Sequence, residues 1–555
     1  MMNRGFNLLS VFLLFLALPA VGAEAAPANL FIRQHVDQLQ VEPGYRVGQD
    51  TLIFRSILAQ LYLNSDFRPL WQNKNSVEQL LAAIGESTTE GLTPDDFHLA
   101  TLEGLRAKKQ AGIDYPTLAA NFDILLSDAF LRLAYAKSFG KVDPNRLDPN
   151  WNLPERKIGP DLLARIEQAI TDGTIAAMLE PLSPRFPVYE QLKKSLAAYR
   201  EIQSRGGWAK IEAGQVLKPG MKDPRVPMLR TRLLDDEATS AVAPLVYDEH
   251  LVQAVVRFQR RHFLVEDGIV GKGTLGALNQ TVEEKIEQIR VNLERARWVL
   301  HGLQEKFILV DIAGYSLSYY QGGKVLWRSK VVVGKPYHKT PVFTEEMKYL
   351  VINPTWTIPR SIIVNETLPR TKRDPASLQK RNLRIIDRKG HTVDPATIDW
   401  QQVSGRSFPY FIRQDPGPHN ALGRIKFMFP NKHAIYLHDT PRRDLFSRDQ
   451  RAFSHGCIRV KDPFTFGELI LQEDGQDWDR ARIEKVVESE KITTVRLKNP
   501  LPVILLYWTV KVSGEDNSLQ FKQDIYGRDK ALLKALDGPF RLRDSVRQQV
   551  RVTDE

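Results

Sequence analysis

Cys457 is the one cysteine of the chain, set in Ser454-His455-Gly456-Cys457-Ile458-Arg459-Val460, nineteen residues after His438. A lone thiol forms no internal disulfide. A thiol, two imidazoles and a glycine meet the needs of acyl transfer: the thiolate attacks, an imidazole moves protons, and the glycine lets backbone N–H groups approach a developing oxyanion. Strand alternation supports this. In Ile435-Tyr436-Leu437-His438 the two aliphatic side chains face a core, while Tyr436 and His438 share the other side. In the second segment His455, Cys457 and Arg459 point one way, Ile458 and Val460 the other. Two strand-like pieces thus gather a phenol, an imidazole, a thiol and a guanidinium in one cleft. The plain alternative is a small residue in a turn with a chance histidine beside it. Metal ligation is not expected, because His433 and His419 lack ligand spacing and there is no second cysteine.

The chain has to carry this chemistry to a place and hold it there. Met1–Asn7 contains Arg4 and no acid, Leu8–Pro19 is nearly all apolar, and small residues follow at Ala23 and Ala25. This pattern predicts a signal peptide over 1–25 and a periplasmic protein. The apolar run falls short of the roughly 20 residues of a membrane span; an uncleaved inner-membrane anchor is the alternative. At 555 residues, 43% of them hydrophobic, the chain is long enough for several cores. Lys+Arg exceed Asp+Glu by 77 − 66 = 11. Behind an export signal, that excess points to an anionic envelope polymer. No dense basic tract interleaved with aromatics is present, so nucleic acid is not an expected partner.

Apolar residues at helical spacing, such as Leu52-Ile53, Ile57-Leu58 and Leu61-Tyr62, make 27–210 a helical scaffold without catalytic spacing. Residues 217–279 read as a small three-helix bundle, and 282–303 as an amphipathic connecting helix. From there the period becomes two, through Phe307-Ile308-Leu309-Val310 and Tyr315 to Tyr320, so 305–512 is a β-rich catalytic domain. Its strands are expected to include Ala434 to Leu437, Thr493 to Leu497 and Val503 to Val510. The sheet pattern stops between Trp356 and Leu422. An insertion of this length, about 357–420, is expected to be a lid. Residues 513–555 form a C-terminal extension. The fold class is multidomain α+β.

Several segments carry a family resemblance. His438 followed by Ser454-His455-Gly456-Cys457-Ile458-Arg459 resembles the active-site signature of the L,D-transpeptidases, the YkuD-type catalytic fold. Asn420-Ala421-Leu422-Gly423, Lys426-Phe427, Tyr507-Trp508-Thr509 and Asp524-Ile525-Tyr526-Gly527 belong to the same likeness. The stretch from Ala254 to Asn279 resembles small peptidoglycan-binding domains, with Phe258-Gln259 and Asp267-Gly268 at the matching places. The whole chain resembles the large Gram-negative members. Where many members carry Asn, this chain has Arg459, expected to orient the cysteine loop or to hold a substrate carboxylate.

The resemblance implies an enzyme without cofactor or metal, acting on peptidoglycan tetrapeptide stems as donor and acceptor. Cys457 would be the nucleophile and His438 the base, with the thiol activated by the nearby imidazole. Gly456 and Cys457 N–H groups would form the oxyanion hole, with the Tyr436 hydroxyl a further donor. Ser454, His455 and Arg459 would support the loop; Trp356, Asn420 and Gly423 would meet substrate. The product is a 3-3 cross-link with release of terminal D-alanine. A stem hydrolase on the same site, or an idle murein-binding scaffold, are the alternatives. Carbapenem-type β-lactams are expected inhibitors, and other cell-wall synthesis proteins candidate partners. A papain-like protease is disfavoured, because there the cysteine precedes its histidine.

Overall fold

A computed structural model describes residues 27–543, apart from 114, 149–150, 153–160, 235–244, 406 and 515–516. The expected signal peptide lies outside the described residues. What remains is a multidomain α+β protein: helices to about residue 300, then a large sheet.

The helical part packs around Pro116–Phe139, which is apolar on nearly every side and so is buried on nearly every side. The bundle of helices Val226–Leu234, Glu249–Arg261 and Lys272–Leu278 has its own core. Within it, Phe258 is buried and the neighbouring Gln259 amide binds Gly268 N–H at 2.9 Å and Ile269 O at 3.0 Å. That bond ties the Asp267-Gly268 turn to the helix.

Helix Val282–Val299 opens with a capping box, Thr281 and Glu284. Its residues enter three cores: Val291 the scaffold's, Val299 the sheet's, and Ile286, Ile289 and Leu293 the one shared with helix Pro187–Ser204. The element expected as a connector is therefore a central spine. Its Arg297, 1% exposed, binds Glu294 at 2.7 Å, the Tyr189 hydroxyl at 2.9 Å and the Glu90 carbonyl at 3.0 Å. Burial alone would raise the Glu90 carboxyl, but Lys137 at 2.6 Å and Arg297 outweigh it and hold it at about 2.

The catalytic sheet has nine strands: β1 (Lys306–Asp311), β2 (Ser316–Gln321), β3 (Lys324–Gly334), β4 (Phe343–Ile352), β5 (Ile425–Met428), β6 (Leu437–His438), β7 (Ala452–Ser454), β8 (Ile458–Val460) and β9 (Thr493–Leu506). They pair in the order β7-β3-β8-β6-β5-β4-β9-β1-β2, and β2 pairs again with β3, which curls the sheet closed. The expected strand Thr493 to Leu497 and the first part of Val503 to Val510 are one strand, Thr493–Leu506, with a bulge between Arg496 and Leu501, and Val510 begins a separate hairpin. Of the expected strand Ala434–Leu437 only Leu437 is in the sheet, and the strand continues instead to His438; Ala434 adopts φ +53 and bends the chain away.

The insertion is not a bare loop. Strands Trp356–Thr357, Phe411–Gln414, Leu383–Ile386 and Thr392–Val393 form a separate sheet, over a core that includes Ile363, Leu368, Trp400 and Phe408. Its helix Arg360–Arg373 widens to a π turn at Ile363–Thr367. Pro369 follows directly; it has no N–H to give the preceding turn, and its ring crowds the carbonyl four residues back.

The described part of the C-terminal extension packs onto the rest of the chain. Strands Val510–Val512 and Leu519–Phe521 form a hairpin against the spine, and Phe540 and Leu542 enter the scaffold core.

Replacing Arg297 by Met should strand Glu294 in a buried site. Breaking one partner out of such a pair costs about 3–5 kcal/mol, so thermal melting should shift down by many degrees. An unchanged melting temperature would show that the network is dispensable.

Candidate active site

Register sets the site. Lys426 on β5 pairs with His438 on β6, and His438 pairs with Arg459 on β8. Residues paired across a sheet share a face. Phe427, Leu437 and Ile458 are therefore all in the core, and Lys426, His438 and Arg459 stand in a row on the other side.

His438 is 4% exposed, with Nδ1 2.5 Å from the Asp439 carbonyl oxygen. A carbonyl only accepts, so Nδ1 carries the proton and Nε2 keeps its lone pair. Burial pushes the His438 pKa down, Arg459 and Lys426 push it further, and it reaches about 3. Tyr436 lies edge-on to the imidazole, 5.7 Å between ring centres, and Lys426 Nζ sits 3.8 Å above the Tyr436 ring.

Cys457 is partly exposed, and its Sγ lies 3.7 Å from the Ala434 carbonyl, which the left-handed Ala434 backbone turns toward it. Burial raises the thiol pKa; hydrogen bonding to Tyr436 and the charges of Lys426 and Arg459 counter only part of this. Among the described residues no hydrogen bond joins Sγ to His438. The thiol pKa, expected to be lowered by the nearby imidazole, is instead raised in this state, and two cations and burial keep the ring neutral.

Gly456 adopts φ +116, where a side chain is strained, and a Cβ there would meet Ile435 Cδ1 at 3.2 Å. Its N–H, expected in the oxyanion hole, instead donates to Ser454 Oγ at 3.0 Å. The Cys457 N–H has no partner among the described residues. The Gly456 carbonyl is pinned by the Thr340 hydroxyl at 2.8 Å, while Lys335 N–H binds Ser454 O at 3.0 Å. Tyr526 holds that outer loop, donating to Gly334 O at 2.6 Å and accepting from Thr340 N–H at 3.2 Å.

The remaining sequence candidates divide. His455 is not beside the imidazole row; its Nε2 meets Glu366 Oε1 of the insertion at 2.5 Å, and its ring packs on His338 at 4.8 Å. Trp356 and Arg459 line one cleft between insertion and sheet. Asn420 does not face that cleft. It is 1% exposed, and its amide clasps Pro354 O and Asp415 O while its Oδ1 accepts from Leu422 N–H. Gly423 likewise serves packing: a Cβ would strike Asp439 Cγ at 2.3 Å. Thr340, Glu366 and Arg381 carry no sequence signal, since their partners lie far away in the chain. Lys426 does carry one, because alternation in Ile425-Lys426-Phe427 turns it away from the core.

With its pKa near 3, His438 should stay neutral from pH 8 to pH 5, visible as NMR ring signals that do not titrate there. The unfolded chain takes up this proton first, near 6.5. The group's contribution to stability is therefore complete above 6.5 and lost as pH falls toward 3. A midpoint near 6.5 in the folded protein would contradict the arrangement.

Comparison with known proteins agrees with this architecture. A model described as L,D-transpeptidase catalytic domain matches residues 305–476. One described as "Scaffold domain" matches 56–196, and one described as "Putative peptidoglycan binding domain" matches 223–278. A "Putative L,D-transpeptidase" of Haemophilus influenzae is 27% identical over 489 residues, 88% of this chain and 81% of the relative. Among solved structures, an L,D-transpeptidase from Mycobacterium smegmatis is 16% identical with TM-score 0.17; the match covers 36% of this chain and 58% of that one. An L,D-transpeptidase from Xylanimonas cellulosilytica is 14% identical with TM-score 0.15, over 53% of this chain and 99% of that one. The chain spans a little over half of the Mycobacterium structure. Residues 305–476 thus match the L,D-transpeptidase catalytic domain, in a chain whose other parts match a scaffold domain and a peptidoglycan-binding domain.

Proposed function

We propose that the protein is a periplasmic acyltransferase that makes 3-3 cross-links in peptidoglycan. The carrying observation is a cysteine two residues from Arg459, which the register pairs with a neutral imidazole protonated at Nδ1. His438 takes the thiol proton, and Cys457 Sγ attacks the carbonyl between the third stem residue and terminal D-alanine. The C–N bond breaks, and the proton passes from His438 to the departing amine of D-alanine. The side-chain amine of an acceptor stem then attacks the thioester. It gives up a proton through His438, and the C–S bond breaks to restore the thiol. The Cys457 N–H, free in this state, and the Tyr436 hydroxyl are the oxyanion donors nearest the sulfur. The peptidoglycan-binding bundle keeps the catalytic domain on its polymer. Among the described residues no helix is long and apolar enough to cross a membrane.

Incubation with disaccharide-tetrapeptide should give dimers that have lost one D-alanine, seen by mass. Cys457→Ala should abolish them, and His438→Ala should slow them on the order of a hundredfold or more. Trimmed monomers in place of dimers would make the enzyme a hydrolase, and product from the Cys457→Ala protein would remove the nucleophile.

The insertion acts as a lid, joined to the nucleophile loop by Glu366 and His455. A lid that excludes water protects the thioester for the amine. Glu366→Ala should therefore raise the ratio of hydrolysis to cross-linking while leaving acylation by a carbapenem nearly unchanged. An unaltered product ratio would show that this contact does not hold the lid.

A further inference from the structure

Arg459 stands where a cation is costly. Its Nε is buried without a hydrogen-bond partner, and among the described residues it forms no ion pair. The Arg381 guanidinium of the insertion also has no ion-pair partner among them. The nearest carboxylates are taken: Asp444 by Arg442 at 2.8 Å, and Glu366 by His455 at 2.5 Å. Arg381 and Arg459 both line a cleft of about 390 Å³ whose lining also includes Trp356, Lys380 and Arg442 and no acidic residue. A desolvated guanidinium without a counter-ion is unfavourable, and the charge of Arg442 beside Arg459 and of Arg370 beside Arg381 adds to that cost. An arrangement of this kind is completed by an anion, and a planar fork suits a carboxylate.

Resting on the transpeptidase reading above, we propose that this cleft binds the free terminal carboxylate of the donor stem, clamped between Arg459 of the sheet and Arg381 of the lid. The spacing fits. Cys457 and Arg459 are two residues apart on one face, about 6.5 Å along the chain. A carboxylate one residue beyond the carbonyl under attack is displaced from it by about 3.8 Å, within reach of an arginine side chain. A stem that ends one residue after the cleaved bond thus places a charge in the clamp. A stem with a further residue places an uncharged amide there and leaves both cations unpaired. Arg459 and Arg381 are specificity residues on this account: they read the end of the donor, and the same anion draws lid and sheet together.

The test uses two tetrapeptide stems, one ending in D-alanine and one in D-alaninamide. In the full-length Cys457→Ala protein, calorimetry should show the acid binding at least tenfold more tightly than the amide. Arg459→Gln should bring that ratio close to one, Arg381→Gln should reduce it, and Arg459→Lys should restore part of it. The unmodified enzyme should release D-alanine far faster than D-alaninamide. Because Arg459 lacks a partner in the free protein, Arg459→Gln should melt no lower than the parent. Equal binding of acid and amide, in an enzyme that does release D-alanine, would overturn the clamp and leave the transpeptidase reading standing. A lower melting temperature for Arg459→Gln would also overturn it, by showing that the guanidinium serves the fold. If neither stem is cleaved while Cys457 still reacts with iodoacetamide, the transpeptidase reading fails and the clamp with it.

Discussion

The buried pair Glu294–Arg297 is the constraint on which the arrangement of domains rests. Both side chains are essentially without solvent, so each must be satisfied from within, and the partners come from different parts of the chain. Glu294 Oε1 accepts from Val142 N–H at 2.7 Å, and Arg297 reaches the Glu90 carbonyl and Tyr189. A charged pair of this kind adds little net stability over apolar packing, but tolerates few alternative geometries. It therefore fixes which way the scaffold sits on the spine helix. From the next turns of the same helix, Asn292 and Arg295 bind Thr509 and Asp529, just beyond the last strand of the catalytic sheet. Scaffold and sheet are thus referred to one rigid element.

That rigidity reaches the Cys457 loop through a short chain of contacts. The Tyr507 ring stacks on Tyr526, and its hydroxyl accepts from Tyr526 N–H while donating to Asp524. Tyr526 holds the loop that carries Thr340, and Thr340 pins the Gly456 carbonyl. The peptide that ends in the Cys457 N–H is oriented by residues nearly two hundred positions apart in sequence. Only the closed sheet brings them together.

How much of this was legible beforehand depends on range. The cysteine segment, the partner histidine and the shared face of Tyr436 and His438 follow from alternation, which is a local property. So do the bundle around Phe258-Gln259 and the switch from helical to strand period after residue 303. Register is not local. The row Lys426–His438–Arg459 needs three strands aligned, and alternation gives each strand's faces without its partner. The insertion was legible as an interruption but not as a folded unit, because its core draws on Ile363, Leu383 and Phe408, which show no common period. Asn420 and Gly423 drew attention as part of a motif, and a motif does not separate residues that touch substrate from residues that hold the wall behind it.

The cationic row also bears on when the site is reactive. A base with a pKa near 3 drives proton transfer weakly, and proton transfer is most effective when the base is matched to the working pH. A thiol raised by burial stays protonated, which limits its oxidation in an exposed compartment. Resting, the site is therefore quiet. An anion beside Arg459 removes one of the two charges that hold His438 down, and a lid drawn over the cleft strengthens every remaining electrostatic term by excluding water. The charge of Lys426, which acts on Cys457, would then favour a thiolate. On the clamp proposed above, the charge that identifies a donor would also change the protonation balance at His438 and Cys457, so that binding and activation would arise from the same contact.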